Sequence, residues 1–186
     1  MTLPLKVLGP HEVTLATAAR TFCLQTIKQT YGFDYNPAWH ADLDSLCQTS
    51  TENPTDNQYA ASNRGRFWVL LNKDGEVIGT MGVRSLAYKP NFKPILATYY
   101  PDFNHIASLW RTYLAPAYRG QGWGEKLNQV ALEFARSQNY QRMFLECNQA
   151  NTKLQAYWQR LGYQHFCNGD NFCCFDQPLH PAHHQT

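Results

Sequence analysis

The sequence predicts an α/β domain built on a single mixed, mostly antiparallel sheet flanked by helices. Three observations carry that prediction. Two stretches with helical spacing open the chain, and a pair of strand-like apolar runs around Asn72-Lys73-Asp74-Gly75 follows. Strand and helix patterns then alternate to the end. The 186 residues are enough for one domain with a full core, and residues 1–186 are read as one.

The elements follow in order. Residues 11–31 are helical: Leu15, Ala18, Ala19, Phe22 and Ile27 recur near helical spacing, and Gly32 ends the run. Residues 37–47 make a second short helix with Trp39, Leu43 and Leu46 on one side. Residues 50–64 are polar, include Pro54 and read as a loop. Residues 67–71 and 77–83 form a hairpin across the Asn72–Gly75 turn. Residues 88–105 hold Pro90, Pro94 and Pro101 among aromatics. They cannot be regular throughout and read as an insertion packed on the surface.

Residues 106–114 are a third strand, ended by Pro116. A glycine-rich turn leads into a helix over about 122–137, with Trp123, Leu127, Val130, Ala131 and Phe134 inward and Asn139 as a left-handed stop. Residues 142–147 are a fourth strand. Residues 151–161 are a helix stopped by Gly162, and 163–166 and 171–175 are two closing strands.

Composition narrows the function. At 44% hydrophobic and 14% aromatic, the chain is globular. Its net charge of +2, without a clustered basic face, excludes nucleic acid as the expected partner. No run is apolar enough for a membrane span, and the first ten residues are not a secretory leader. Cys23, Cys47, Cys147, Cys167, Cys173 and Cys174 form no CxxC pair. They are expected as free, mostly buried thiols of a cytoplasmic protein, with Cys173 and Cys174 facing opposite sides of a strand. His180, His183 and His184 are read as a solvated tail, and no metal site is expected.

The most informative segment is Arg119-Gly120-Gln121-Gly122-Trp123-Gly124, between a strand and a helix. Its glycines let the backbone turn tightly and approach a ligand. The free amides at the start of the helix, backed by its dipole, suit a phosphate, and Arg119 adds charge at the rim. Three readings compete: a turn without a ligand, a dinucleotide fold with Glu146 as its ribose acid, and an acyl-CoA site. The dinucleotide reading, which would make the protein a nicotinamide-dependent oxidoreductase, needs GxGxxG, whereas the chain has GxGxG behind an antiparallel hairpin.

Arg119-Gly120-Gln121-Gly122-Trp123-Gly124 resembles the Arg/Gln-x-x-Gly-x-Gly/Ala signature of the GNAT (GCN5-related N-acetyltransferase) family. Asn151-Thr152-Lys153-Leu154 and the segment ending in Arg160-Leu161-Gly162-Tyr163 are similar to the part that closes that family's cofactor site. The resemblance covers about residues 67–166. It implies the family's fold, a cofactor core over about 106–166 and acceptor-side helices over about 11–47. It also implies an acetyl-CoA-dependent acetyltransferase whose amine attacks the thioester directly in a ternary complex. Backbone groups of Thr112, Tyr113 and Leu114 would bond the pantetheine. The Gln121, Gly122, Trp123 and Gly124 amides, beside Gly120 and Arg119, would hold the pyrophosphate. Asn151, also a good helix N-cap, and Trp158 would complete the cofactor site.

The catalytic groups are less regular. Where the family places a tyrosine acid this chain has Trp158, whose indole is no acid. Tyr157, one residue earlier and about 100° round the helix, is the substitute; core packing with solvent protonation is the alternative. The third strand has no Asp or Glu, so Glu146 is the candidate base or else a paired structural carboxylate. Asp102 and His105 are read as surface groups within water-mediated reach. Asp42 and Asp44 either attract a cationic amine or decorate a solvated face. The expected partner is a small-molecule amine or peptide acceptor, with a homodimer also open. A catalytically silent CoA-binding module is the other reading.

Overall fold

A computed structural model describes residues 3–9, 11–47 and 57–179. Seven strands form one mixed sheet in the order β1-β2-β3-β4-β5-β7-β6. They are β1 (Leu5–Val7), β2 (Arg66–Leu71), β3 (Val77–Ser85), β4 (Ile106–Leu114), β5 (Arg142–Asn148), β6 (Gln164–Asn168) and β7 (Phe172–Pro178). The helices are α1 (Val13–Tyr31), α2 (Pro37–Leu46), α3 (Lys93–Leu96), α4 (Trp123–Ser137) and α5 (Thr152–Arg160). The predicted fold class is therefore the observed one. The chain divides into two compact units, Met1–Arg84 with Trp110–Leu127, and Ser85–Leu109 with Asn128–Thr186.

In the first unit, α1 buries Ala16, Ala19, Cys23 and Ile27, a stripe at three- and four-residue spacing. It stops at Gly32, which takes φ 74° and returns its amide to the Lys28 carbonyl. Asn36 caps α2 through the Ala38 amide, and Pro37 occupies the first turn. Leu43 and Leu46 lie inward as expected, but Trp39 is 60% exposed. His40 takes the inner place instead and fixes its ring by accepting the Asn36 amide at Nδ1, 2.9 Å away.

Asn72 builds the β2–β3 turn by accepting the Asp74 and Glu76 amides at 3.0 and 2.8 Å. β1, too short to show a period, pairs antiparallel with β2 from Leu5↔Leu70 to Val7↔Trp68 and was not anticipated. Residues 50–56 of the expected loop and the three tail histidines lie outside the described residues.

The first unit's core joins the α1 stripe to Leu43, Tyr59, Phe67 and Val69. Gly82 sits hard against it: a Cβ there would come within 2.5 Å of Tyr59 Cε1 and 3.0 Å of Phe67 Cδ2. The Tyr59 ring cannot swing away without losing its hydroxyl bond to Asp42. Gly82→Ala is therefore expected to destabilise the protein by about 1–3 kcal/mol in urea unfolding; an unchanged midpoint would mean that the ring moves freely.

In the second unit the proline-rich stretch is not a surface insertion. Phe92, Leu96 and Tyr100 are buried and pack with Ile106, Phe144 and Cys174. Pro90 and Pro94 each sit in the first turn of a short helical piece, where a missing amide costs nothing. The chain thus keeps its breaks and still delivers aromatics inward. Asn139 takes φ 59°, as predicted. All six cysteines are free thiols, four of them buried. Cys173 meets Cys147 across the β5–β7 ladder with sulfurs 3.7 Å apart, while Cys174 registers with Cys167 on β6. No helix among the described residues is long and apolar enough to cross a membrane.

Candidate functional site

Two features of the first unit converge on the end of β4. The first is a break in the strand: Arg111 takes φ 48°, rare for a side chain with a Cβ. Its carbonyl accepts the Thr80 hydroxyl at 2.8 Å, and the chain rejoins β3 where the Ala115 amide meets the Ile78 carbonyl at 2.8 Å.

The turned Arg111 side chain runs to α2. It donates to both Asp42 oxygens, at 2.9 and 2.6 Å, and to the Trp39 carbonyl at 2.9 Å. Tyr59 adds a hydroxyl to Asp42 at 2.7 Å. Both charged side chains are over nine-tenths buried. Burial alone would raise the Asp42 carboxyl. The Arg111 hydrogen bonds and charge outweigh it and hold Asp42 below the usual carboxylate range. Beside them the Arg84 guanidinium sits over the Trp110 ring, its Cζ 3.7 Å from the centroid.

The second feature is the turn into α4. Pro116–Tyr118 makes one tight helical turn, Arg119 is extended, and Gly120 and Gly122 take φ 73° and 81°. A Cβ at either glycine would meet nothing within 4 Å, so these positions need glycine for backbone conformation and leave open space beside the amides. The first amides of α4 precede its ladder, whose Lys126–Gly122 bond closes at 3.1 Å. An exposed run of amides at a helix start fits a diphosphate.

Arg119 does more than charge the rim: its Nε donates to the Leu114 carbonyl at 2.9 Å and ties the turn to the strand end. Gln121 likewise holds the Ala117 carbonyl at 2.8 Å, and Lys126 sits over the Trp123 ring. Thr112, Tyr113 and Leu114 follow the Arg111 break directly and are half-buried. Burial pushes the Tyr113 phenol up to about 12, so it stays protonated.

The second unit carries the other predicted residues. The β4–β5 ladder is parallel and covers three pairs, from Ile106↔Arg142 to Ser108↔Phe144, whereas β5 pairs with β7 from Arg142 to Asn148. Asn151 is the N-cap of α5, accepting the Leu154 amide at 3.1 Å, and is exposed. Trp158 is buried, edge-on to Tyr163 and to Tyr157 at 5.4 and 5.0 Å. Tyr157 itself is half-buried rather than a core residue, with Arg160 over its ring at 5.5 Å. Glu146 is ion-paired with the buried Lys89. Asp102 and His105, 3.4 Å apart, are about half exposed, and Asp102 caps the turn before β4.

Residues 25–163 match the acetyltransferase (GNAT) family. The chain belongs to the GNAT acetyltransferase family. Its sequence is 29% identical over 117 residues to the uncharacterized N-acetyltransferase YjgM of Escherichia coli K12, and the match spans 62% of that relative's length. In fold it is similar to a GNAT-family acetyltransferase of Staphylococcus aureus Mu50. The TM-score is 0.71 at 16% identity, over 96% of this chain and all of that one. An acetyltransferase of Streptococcus agalactiae 2603 follows at TM-score 0.66 and 17% identity, over 95% and 98% of the two chains.

Within this GNAT chain the Asp42–Arg111 pair is what sequence reading missed. The two residues are 69 positions apart, and nothing in either local pattern announces the other. Asp42 and Asp44 are neither solvated decoration nor free anions, because Asp44 accepts Arg20 at 2.8 Å and the Tyr35 hydroxyl at 2.7 Å.

Proposed function

We propose that the protein transfers acetyl from acetyl-CoA to a primary amine, by direct attack within a ternary complex. The observation that carries this reading is the turn at Gly120–Gly122: amides exposed at a helix start, held open by two left-handed glycines, at the signature of the GNAT family. Gln121, Gly122, Trp123 and Gly124 offer those amides to the pyrophosphate. Thr112, Tyr113 and Leu114 offer backbone groups to the pantetheine, with the Tyr113 or Leu114 amide placed for the oxyanion. Arg119 keeps the turn against the strand end; Asn151 and Trp158 belong to the second unit, and the family resemblance is what assigns them to the donor.

In the reaction the amine nitrogen bonds to the acetyl carbon and the carbon–sulfur bond opens. The departing sulfur keeps the electron pair and takes up a proton. Asp42 and Glu146 are each held by a cation, so the ammonium loses its proton to water. Tyr157, half-buried beside Trp158, gives a proton to the thiolate and is reprotonated, through water, by the proton that the acylated nitrogen sheds. Tyr157→Phe is expected to lower kcat about tenfold or more while acetyl-CoA binding is kept. An unchanged kcat would assign that proton to solvent.

The reading is tested by thermal melts with acetyl-CoA, CoA and NAD in separate samples, followed by thiol release with a panel of amines. A rise in Tm with acetyl-CoA and none with NAD, together with amine-dependent thiol release, is expected. No rise with millimolar acetyl-CoA would overturn the donor site. A rise without turnover on any amine would leave a CoA-binding protein rather than an enzyme.

A further inference from the structure

Residues 31–39 run from the last residue of α1 into the first turn of α2 and carry four large aromatics, Tyr31, Phe33, Tyr35 and Trp39, exposed by 41%, 52%, 48% and 60%. Rings of this size rarely stay in water together without a partner to meet. They form one arrangement: Tyr31 stacks on Phe33 at 6.3 Å, and Phe33 meets Trp39 edge-on at 5.8 Å. Tyr35 is spoken for, with its hydroxyl on Asp44 and Arg20 over its ring. Phe33 and Trp39 are left as apolar faces turned to solvent.

Two further observations say what those faces suit. The first is placement. The Trp39 carbonyl and the Asp42 carboxylate, both on α2, are gripped by the one Arg111 side chain, at the break in β4. The aromatic group is thereby fixed to the strand that leads into Thr112, Tyr113 and Leu114.

The second is charge. The segment 31–46 holds three carboxylates, and each meets a cation: Asp34 with Lys28 at 2.7 Å, Asp42 with Arg111, and Asp44 with Arg20. His40 is held below the ordinary histidine range by burial and by Arg111, and its Nδ1 already accepts an amide. The patch offers a polycation no net negative field, and it offers a ring two aromatic faces.

We propose that Phe33 and Trp39, with Tyr31 beside them, bind the ring-bearing end of the acceptor, so that the preferred substrate is a primary amine carrying an aromatic group. This rests on the acetyl-transfer reading above and names its acceptor class. Polyamines and lysine-rich peptides are the disfavoured alternatives.

The test compares thiol release from acetyl-CoA with 2-phenylethylamine, n-butylamine, spermidine and a lysine peptide, in the full chain and in the Trp39→Ala and Phe33→Ala variants. Saturation-transfer NMR on the ring protons of 2-phenylethylamine gives a readout independent of turnover. The parent is expected to favour 2-phenylethylamine over n-butylamine by about tenfold in kcat/KM, mostly through KM. Each variant is expected to bring that ratio toward one and to weaken the ring-proton signal. Trp39→Ala keeps the carbonyl that Arg111 holds, and an acetyl-CoA melting shift in the variants certifies the fold. If the parent turns over but shows no preference for the ring, or the ratio survives both substitutions, the proposal is overturned. So it is if light scattering shows a dimer that Trp39→Ala dissolves, since the patch then belongs to a second copy. Absence of any acetyl-CoA shift and of turnover with every amine is a different result: it sinks the acetyl-transfer reading, and the acceptor assignment with it.

Discussion

Asp42→Ala is expected to lower the free energy of unfolding by about 3–5 kcal/mol, the largest effect of any single substitution discussed for this protein. The carboxylate is almost wholly buried and receives three hydrogen bonds, two from Arg111 and one from Tyr59. Removing it strands the Arg111 guanidinium, itself about nine-tenths buried, and the Tyr59 hydroxyl. Urea unfolding measures the loss, and a value under about 1 kcal/mol would mean that water reaches the pair. Replacing both partners at once, Asp42→Leu with Arg111→Met, should recover much of it, because the cost lies in the uncompensated charge.

The same pair sets a pH dependence. Asp42 is held below its ordinary value in the folded protein, so its contribution is complete above the unfolded value of about 3.9 and is lost as pH falls through the lower folded one. Stability that kept rising on acidification below pH 4 would contradict the pairing. Since Arg111 also holds the Trp39 carbonyl, Asp42→Ala is expected to disturb the position of α2 along with the core.

Gly122→Val is expected to abolish the acetyl-CoA melting shift and to weaken donor binding about a hundredfold or more. Two losses combine. Valine does not tolerate φ 81°, so the turn must rearrange. Its side chain would also occupy the open space beside the amides, each of which is worth about 1.5–3 kcal/mol to a charged acceptor. The fold itself should lose only about 1–3 kcal/mol.

Gly75→Ala is the matched control. It has the same φ of 81° and equally open surroundings, but sits in the β2–β3 turn. It should cost stability of the same kind and leave the melting shift intact. If Gly122→Val kept the shift while Gly75→Ala behaved as expected, the turn would not be the donor's cradle.

How much of this was legible in the sequence depends on the range of the interactions. The third strand was predicted residue for residue, since a run of strand formers before Pro116 needs no partner to be recognised. Gly32 was placed correctly as the end of its helix and Asn139 as a left-handed stop, because both are local choices. The glycine turn before α4 was legible for the same reason: glycine spacing at a strand-to-helix junction is itself the structure.

Three readings failed where position in space decided. Residues 88–105 looked like surface because their breaks hide the fact that Phe92, Leu96 and Tyr100 turn the same way. Trp39 looked inward because periodicity cannot tell which edge of a short helix the sheet covers. β1 was too short to carry a period at all.

By itself, then, the sequence determined the order of the longer elements, the fold class and the amide-lined turn, all of which follow from steric and propensity rules acting within a few residues. The tertiary structure decided which charges are satisfied and which aromatics remain in water. Asp42 finds Arg111 only because a left-handed residue in β4 turns its side chain onto α2. Glu146 finds Lys89 from 57 positions away. Coulomb and hydrogen-bond energies depend on separation in space, and no spacing along the chain encodes it.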